Sequence, residues 1–147
     1  MKILILGGTG AMGISLVSIL SKRNNSLFIT SRKKRISQDN NIKYIRGNAH
    51  DNNFLVKLLN SEYYDTIVDF MAYSTDEFKL RINLFLEHTA QYIYISSSRV
   101  YANENKCITE KSKRLLDVCE DDEYLKTDEY ALTKARQENL LLKSKKK

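Results

Sequence analysis

Lys2-Ile3-Leu4-Ile5-Leu6-Gly7-Gly8-Thr9-Gly10-Ala11-Met12-Gly13 runs from an uninterrupted apolar stretch straight into glycines. A helical pattern follows at once, with Ile14, Val17, Ile19 and Leu20 as its apolar positions. The stretch therefore reads as a strand, a tight turn and a helix start. Gly7, Gly10 and Gly13 stand at Gly-x-x-Gly-x-x-Gly spacing, which lets the backbone turn sharply, approach a pyrophosphate and pack helix against strand. Unpaired amides and the positive dipole end at the helix start suit phosphate. A glycine turn without a ligand would carry the same residues, but the strand-and-helix setting is the one that dinucleotide binding requires.

Outward from this stretch, strands and helices alternate. Residues 27–30, 42–45, 66–70 and 92–96 read as the second to fifth strands, and 12–23, 53–60 and 76–88 as the helices between them. This order predicts an α/β fold: a doubly wound parallel sheet of about five strands, with right-handed crossovers and ligands at the carboxyl ends of the strands. Residues 103–127 are rich in charge, lack a clean period and read as a long connection. Thr127, Asp128 and Glu129 then supply a cap and an acidic first turn for a last helix.

At 147 residues, with 42% hydrophobic content, the chain suits one packed domain spanning 1–147. Its formal charge is +6, of which Lys143, Lys145, Lys146 and Lys147 supply four, leaving +2 for the rest. A basic tail without aromatic interleaving reads as a solvated end, and no nucleic-acid partner is expected. Cys107 and Cys119 have no metal-ligand spacing and outline no disulfide framework, so a reducing cytoplasm is the expected location. No apolar run is long enough for a signal peptide core or a membrane span.

Tyr130 and Lys134, in Asp128-Glu129-Tyr130-Ala131-Leu132-Thr133-Lys134, share one face of the last helix. Tyrosine is a poor acid or base at neutral pH until a nearby cation favours its phenolate. The same spacing also occurs as an exposed pair on many amphipathic helices.

Together, Gly7-x-x-Gly10-x-x-Gly13, the run Asp65-Thr-Ile-Val-Asp-Phe-Met-Ala72, the run Tyr-Ile-Ser-Ser-Ser-Arg-Val-Tyr-Ala ending at Ala102, and Tyr130-x-x-x-Lys134 followed by Glu138 resemble the extended short-chain dehydrogenase/reductases. More narrowly, they are similar to the NAD-dependent epimerase/dehydratase family acting on nucleotide sugars. The resemblance implies hydride transfer with Tyr130 as the acid/base, Ser97 (or Ser98, in a run of three serines) bonding the reacting oxygen, and Lys134 holding the nicotinamide ribose. It implies a cofactor set of Gly7, Thr9, Gly10, Met12, Gly13, Met71 and Ala72, and a homodimer through the last two long helices, in which Leu132, Leu140 and Leu141 face the partner or are covered by the chain's own core. Asp51 matches the family's adenine-contacting acid and equally suits a helix N-cap. Members of the family continue into a C-terminal substrate domain, so the chain is expected to be its cofactor-binding part. A non-catalytic dinucleotide-binding module is the alternative.

The cofactor's identity is argued from Thr30-Ser31-Arg32-Lys33-Lys34-Arg35 at the end of the second strand. An acid there would hold the 2′-hydroxyl of NAD. None is present, and Ser31 with Arg32 suits a 2′-phosphate, so NADP is favoured over NAD.

Overall fold

The structure, a computed structural model, describes residues 1–144; the end of the basic tail, 145–147, lies outside the described residues. Two compact units emerge: Met1–Ala72 with Asn83–Ile95, and Tyr73–Ile82 with the chain from Ser96 onward.

The first unit is a parallel sheet in the order β3-β2-β1-β4-β5. Its strands are β1 (Lys2–Leu6), β2 (Ser26–Ser31), β3 (Ile42–Arg46), β4 (Tyr64–Asp69) and β5 (Thr89–Tyr94). β1 is central, pairing with β2 on one side and β4 on the other. Its residues Ile3 to Leu6 are buried on both faces, which is why the sequence reads as an apolar run and not as an alternation. The edge strand β3 has no fully buried residue, and its Lys43 and Arg46 are exposed, as suits an edge that must not pair further. Helix α1 (Ala11–Leu20) carries β1 to β2, and α2 (Asn52–Ser61) carries β3 to β4. Buried Ile3, Ile5, Val17, Leu27, Ile29 and Val68 form one core cluster. Of the apolar positions that mark α1 in the sequence, Ile14 and Ile19 are exposed and only Val17 is buried. The direction of strand succession reverses at β1 and β4, so the loops after these two strands flank the switch point where ligands bind in such sheets.

β5 begins three residues before the apolar run that marks it in the sequence. Its register is set by pairing of Thr89 with Tyr64 and Gln91 with Thr66, backbone matches that hydrophobicity does not reveal.

The division between the units falls within α3 (Thr75–Glu87). The second unit further holds a 3-10 turn (Ser98–Val100), two single-turn helices, α4 (Leu115–Val118) and α5 (Asp122–Leu125), and α6 (Tyr130–Lys143). The connection expected at 103–127 is thus partly helical. Asp121 caps α5 by accepting from the Glu123 and Tyr124 amides, both at 3.0 Å. Arg114 ties α4 to α6, donating to Asp117 at 2.8 Å, Glu138 at 3.1 Å and Asn139 at 2.9 Å. Buried Gln137 donates to the Tyr73 carbonyl at 2.7 Å. Leu132, expected to face a partner subunit, is fully buried within the chain, whereas Leu142 is exposed.

Tyr64 on β4 is fully buried, edge-on to Phe28 with centroids 5.6 Å apart, and its hydroxyl has no hydrogen-bond partner among the described residues. Burial, with the Glu62 charge adding to it, pushes its ionisation up to about 12. The folded chain therefore holds this proton more tightly than the unfolded chain, whose tyrosine ionises near 10. Stability from this group is fully present below pH ~10 and falls by roughly 2–3 kcal/mol as pH rises to ~12. Melting curves across that range should show Tyr64→Phe losing less stability than the parent chain, and being at least as stable at neutral pH; a parallel decline in both would contradict this.

Candidate functional site

The glycine loop closes on itself after β1. Gly7 adopts φ +73, the left-handed region that glycine enters without strain. Its carbonyl accepts from the Gly10 amide at 3.0 Å, and its amide donates to Thr30 Oγ1 at 3.3 Å. Gly13 lies buried in the first turn of α1 against the loop: a methyl there would stand 2.5 Å from Gly8 Cα and 2.8 Å from the Gly7 carbonyl oxygen. A methyl at Gly10 would meet nothing closer than 3.4 Å. The space at Gly10 is therefore open, while the space at Gly13 is filled by backbone. These are the two glycine roles the motif needs, one leaving room for a ligand and one allowing helix to press on strand.

Beside the loop is a cavity of about 380 Å³ within the first unit, lined by Gly7, Thr9, Gly10, Thr30, Arg32, Gly47, Asn48, Ala49, His50 and Met71. Arg32, exposed at the end of β2, is thereby brought to the same cavity as the glycines. Met71 reaches it through a turn set by buried Asp69, which accepts from the Met71 amide at 2.9 Å and from the Tyr92 hydroxyl at 2.8 Å.

Other sequence candidates lie elsewhere. Met12 is exposed on α1, and Ala72 is exposed beyond β4; neither lines the cavity. The Ser31 hydroxyl donates to the Lys33 carbonyl at 2.9 Å and is spent on its own turn. Asp51 caps α2, accepting from the Asn53 amide at 2.9 Å and the Phe54 amide at 3.3 Å. The polar residues that the loop after β3 brings to the cavity are instead Asn48 and His50, the Asn48 side chain accepting from the His50 amide at 3.1 Å. The signal for this segment is Gly47, where any side chain would collide with the Phe54 ring.

The second unit assembles Ser97, Tyr130 and Lys134. Ser97 caps the 3-10 turn, its oxygen accepting from the Arg99 amide at 3.3 Å. Neighbouring Ser96 donates to Glu138, and Ser98 is exposed. Of the three serines, Ser97 therefore combines partial burial with a defined turn position. Tyr130 opens α6 with its side chain 44% exposed, while Lys134, one turn on, is buried with its Nζ 6.0 Å from the Tyr130 ring centroid. Glu129 caps this helix, accepting from the Ala131 amide at 2.6 Å and the Tyr124 hydroxyl at 3.2 Å. Burial opposes its ionisation, but those two donors and the Arg99 charge outweigh it and hold the carboxyl below the ordinary glutamate range. The same pairing, together with burial, pushes the Tyr124 phenol up. Among the described residues no group of histidines, cysteines and carboxylates is arranged to hold a metal, and no helix is long and apolar enough to cross a membrane.

Known proteins match along nearly the whole chain. The UDP-Glc/GlcNAc 4-epimerase of Campylobacter jejuni superposes on 96% of it with a TM-score of 0.74 at 18% identity, using 48% of its own length. The enzyme WbmH of Bordetella bronchiseptica, solved in complex with NAD+, superposes on 96% with a TM-score of 0.73 at 15% identity, using 52% of its length. In sequence, the chloroplast stem-loop binding protein of 41 kDa b of Arabidopsis thaliana is 30% identical over an alignment of 114 residues that covers 68% of this chain and 30% of that protein. The chain thus spans about half the length of the solved structures and under a third of the curated relative. Residues 3–147 match the NAD dependent epimerase/dehydratase family, and the chain belongs to it.

Proposed function

We propose that this chain supplies the dinucleotide-binding and proton-transfer parts of an NAD(P)-dependent epimerase, dehydratase or reductase acting on a nucleotide sugar. The observation that carries the reading is the glycine loop: Gly10 is open toward a cavity, Gly13 is closed against Gly8, and Arg32 shares the cavity. The cavity's residues fit a dinucleotide, because the loop backbone at Gly10 is open to close approach and the Arg32 guanidinium lines the same space. A bound nicotinamide would accept or return hydride at carbon. Tyr130 would give or take the proton on the attached oxygen, Ser97 would hydrogen-bond that oxygen, and Lys134 would hold the ribose. Arg32, with no acid at the end of β2, favours NADP over NAD. The chain is read as a cytoplasmic protein.

The second reading is a binding module without turnover. Its support is that the cavity beside the glycine loop is lined wholly by residues of the first unit and includes none of Ser97, Tyr130 and Lys134. The Arabidopsis relative is named for stem-loop binding, so an RNA hairpin belongs among the ligands tested, with no binding expected here.

The two loop glycines separate binding from folding. Gly10→Ala should leave the melting temperature unchanged and weaken dinucleotide binding in calorimetry, whereas Gly13→Ala should destabilise the fold by roughly 1–3 kcal/mol through overpacking. Equal effects at both positions would contradict the assignment. For the cofactor, Arg32→Asp should weaken NADP by about tenfold or more, the worth of one charge-assisted hydrogen bond, and NAD much less; equal loss for both would remove the phosphate argument. With a panel of nucleotide sugars, reduced-nicotinamide absorbance should show turnover falling by about 10²–10⁴ in Tyr130→Phe, while dinucleotide binding without turnover in the parent chain would establish the module.

A further inference from the structure

Tyr130 is flanked by a second cation besides Lys134. The Arg99 guanidinium lies 5.7 Å from the Tyr130 ring centroid. It is held there by the residue before the tyrosine: Arg99 Nη2 donates to Glu129 Oε1 at 2.6 Å. The other Glu129 oxygen takes the Ala131 amide, in the first turn of the helix that Tyr130 opens, and the Tyr124 hydroxyl from α5. At its own backbone, Arg99 donates its amide to Ser97 Oγ. One residue thus bonds the serine through its main chain and reaches the tyrosine's ring and helix cap through its side chain.

We propose that Arg99, gripped by Glu129, is a positioning residue that registers the Ser97 turn against the Tyr130 ring. The inference rests on the assignment of Ser97 and Tyr130 as the groups that share one substrate oxygen, because only then does their mutual placement matter. The Arg99 side chain is 65% exposed, and exposed ion pairs contribute little to stability; the consequence of this pair is geometric. A planar guanidinium can accept a carboxylate at its edge and an aromatic ring at its face, which an ammonium cannot do in a fixed orientation. Misplacement by about 1 Å of a group acting in concert with another costs on the order of 10²-fold in rate. The charged and titratable groups around the clamp are Lys134, Tyr124, Glu129 and, through Tyr124, Cys119; Glu129 is the carboxylate among them.

The test uses the full chain labelled with 3-fluorotyrosine, with the Tyr130 fluorine resonance identified by its loss in Tyr130→Phe. Arg99→Met should displace that resonance by more than its linewidth while leaving the melting temperature and the dinucleotide affinity unchanged. Glu129→Gln should displace it too, and the double variant no further than Arg99→Met alone. Arg99→Lys, which keeps the charge without the planar fork, should also depart from the parent position. An unmoved resonance in Arg99→Met, a parent-like resonance in Arg99→Lys, or additive displacement in the double variant would overturn the clamp. Failure of the parent chain to bind NAD or NADP would count against the proposed function and leave the resonance result intact, so the two failures are distinguishable.

Discussion

The contact between Gly13 and Gly8 places backbone where almost any other pair of residues would place side chains. With no Cβ at Gly13, the first turn of α1 comes down onto the loop, so that a methyl there would lie 2.5 Å from Gly8 Cα and 2.6 Å from its carbonyl carbon. Gly8 is confined on its other side, where a Cβ would meet Ile29 and Ile5 at 2.8 and 2.9 Å. Strand, loop and helix are therefore held in one stack, from the core of the sheet to the helix start. In this stack Gly10 is the position where the loop is open, and it lines the cavity. The opening proposed for a dinucleotide is thus set by a packing constraint before any charge is considered.

Charge enters at the margins. Arg32 comes from the carboxyl end of β2, beside β1, so the topology that brings the strands together also brings a guanidinium to the glycine loop. In the second unit, carboxylates act as fasteners. Glu129 caps α6 and holds Arg99; Glu138 receives Ser96 and Arg114. Each joins a helix to a segment distant in sequence, which is how a connection with few apolar residues acquires a defined shape.

The parts legible in the sequence are those governed by local periodicity and by glycine. The apolar run of β1, the parallel sheet implied by alternation, the loop spacing and the Tyr130–Lys134 face all follow from rules that operate within a few residues. What was not legible depends on partners far along the chain. β5 starts at Thr89 because its backbone finds Tyr64, not because its first residues are apolar. Asn48 lines the cavity although no motif marks it, whereas the cap that Asp51 makes on α2 is one of the two roles its sequence position suits. Met12 lies in the motif and yet points outward, because the helix is fixed by Gly13 and not by its neighbour. Arg99 and Glu129 have no spacing signature at all, being 30 residues apart.

The central claim, that the glycine loop after β1 is the dinucleotide site, is tested most directly by mapping backbone amide resonances during titration with NAD+ and NADP+. Perturbations are expected to concentrate at Gly7, Thr9, Gly10 and Ala11, with Arg32 and Asn48 responding in the same titration. Saturating perturbations elsewhere on the sheet, or none at millimolar cofactor, would contradict it.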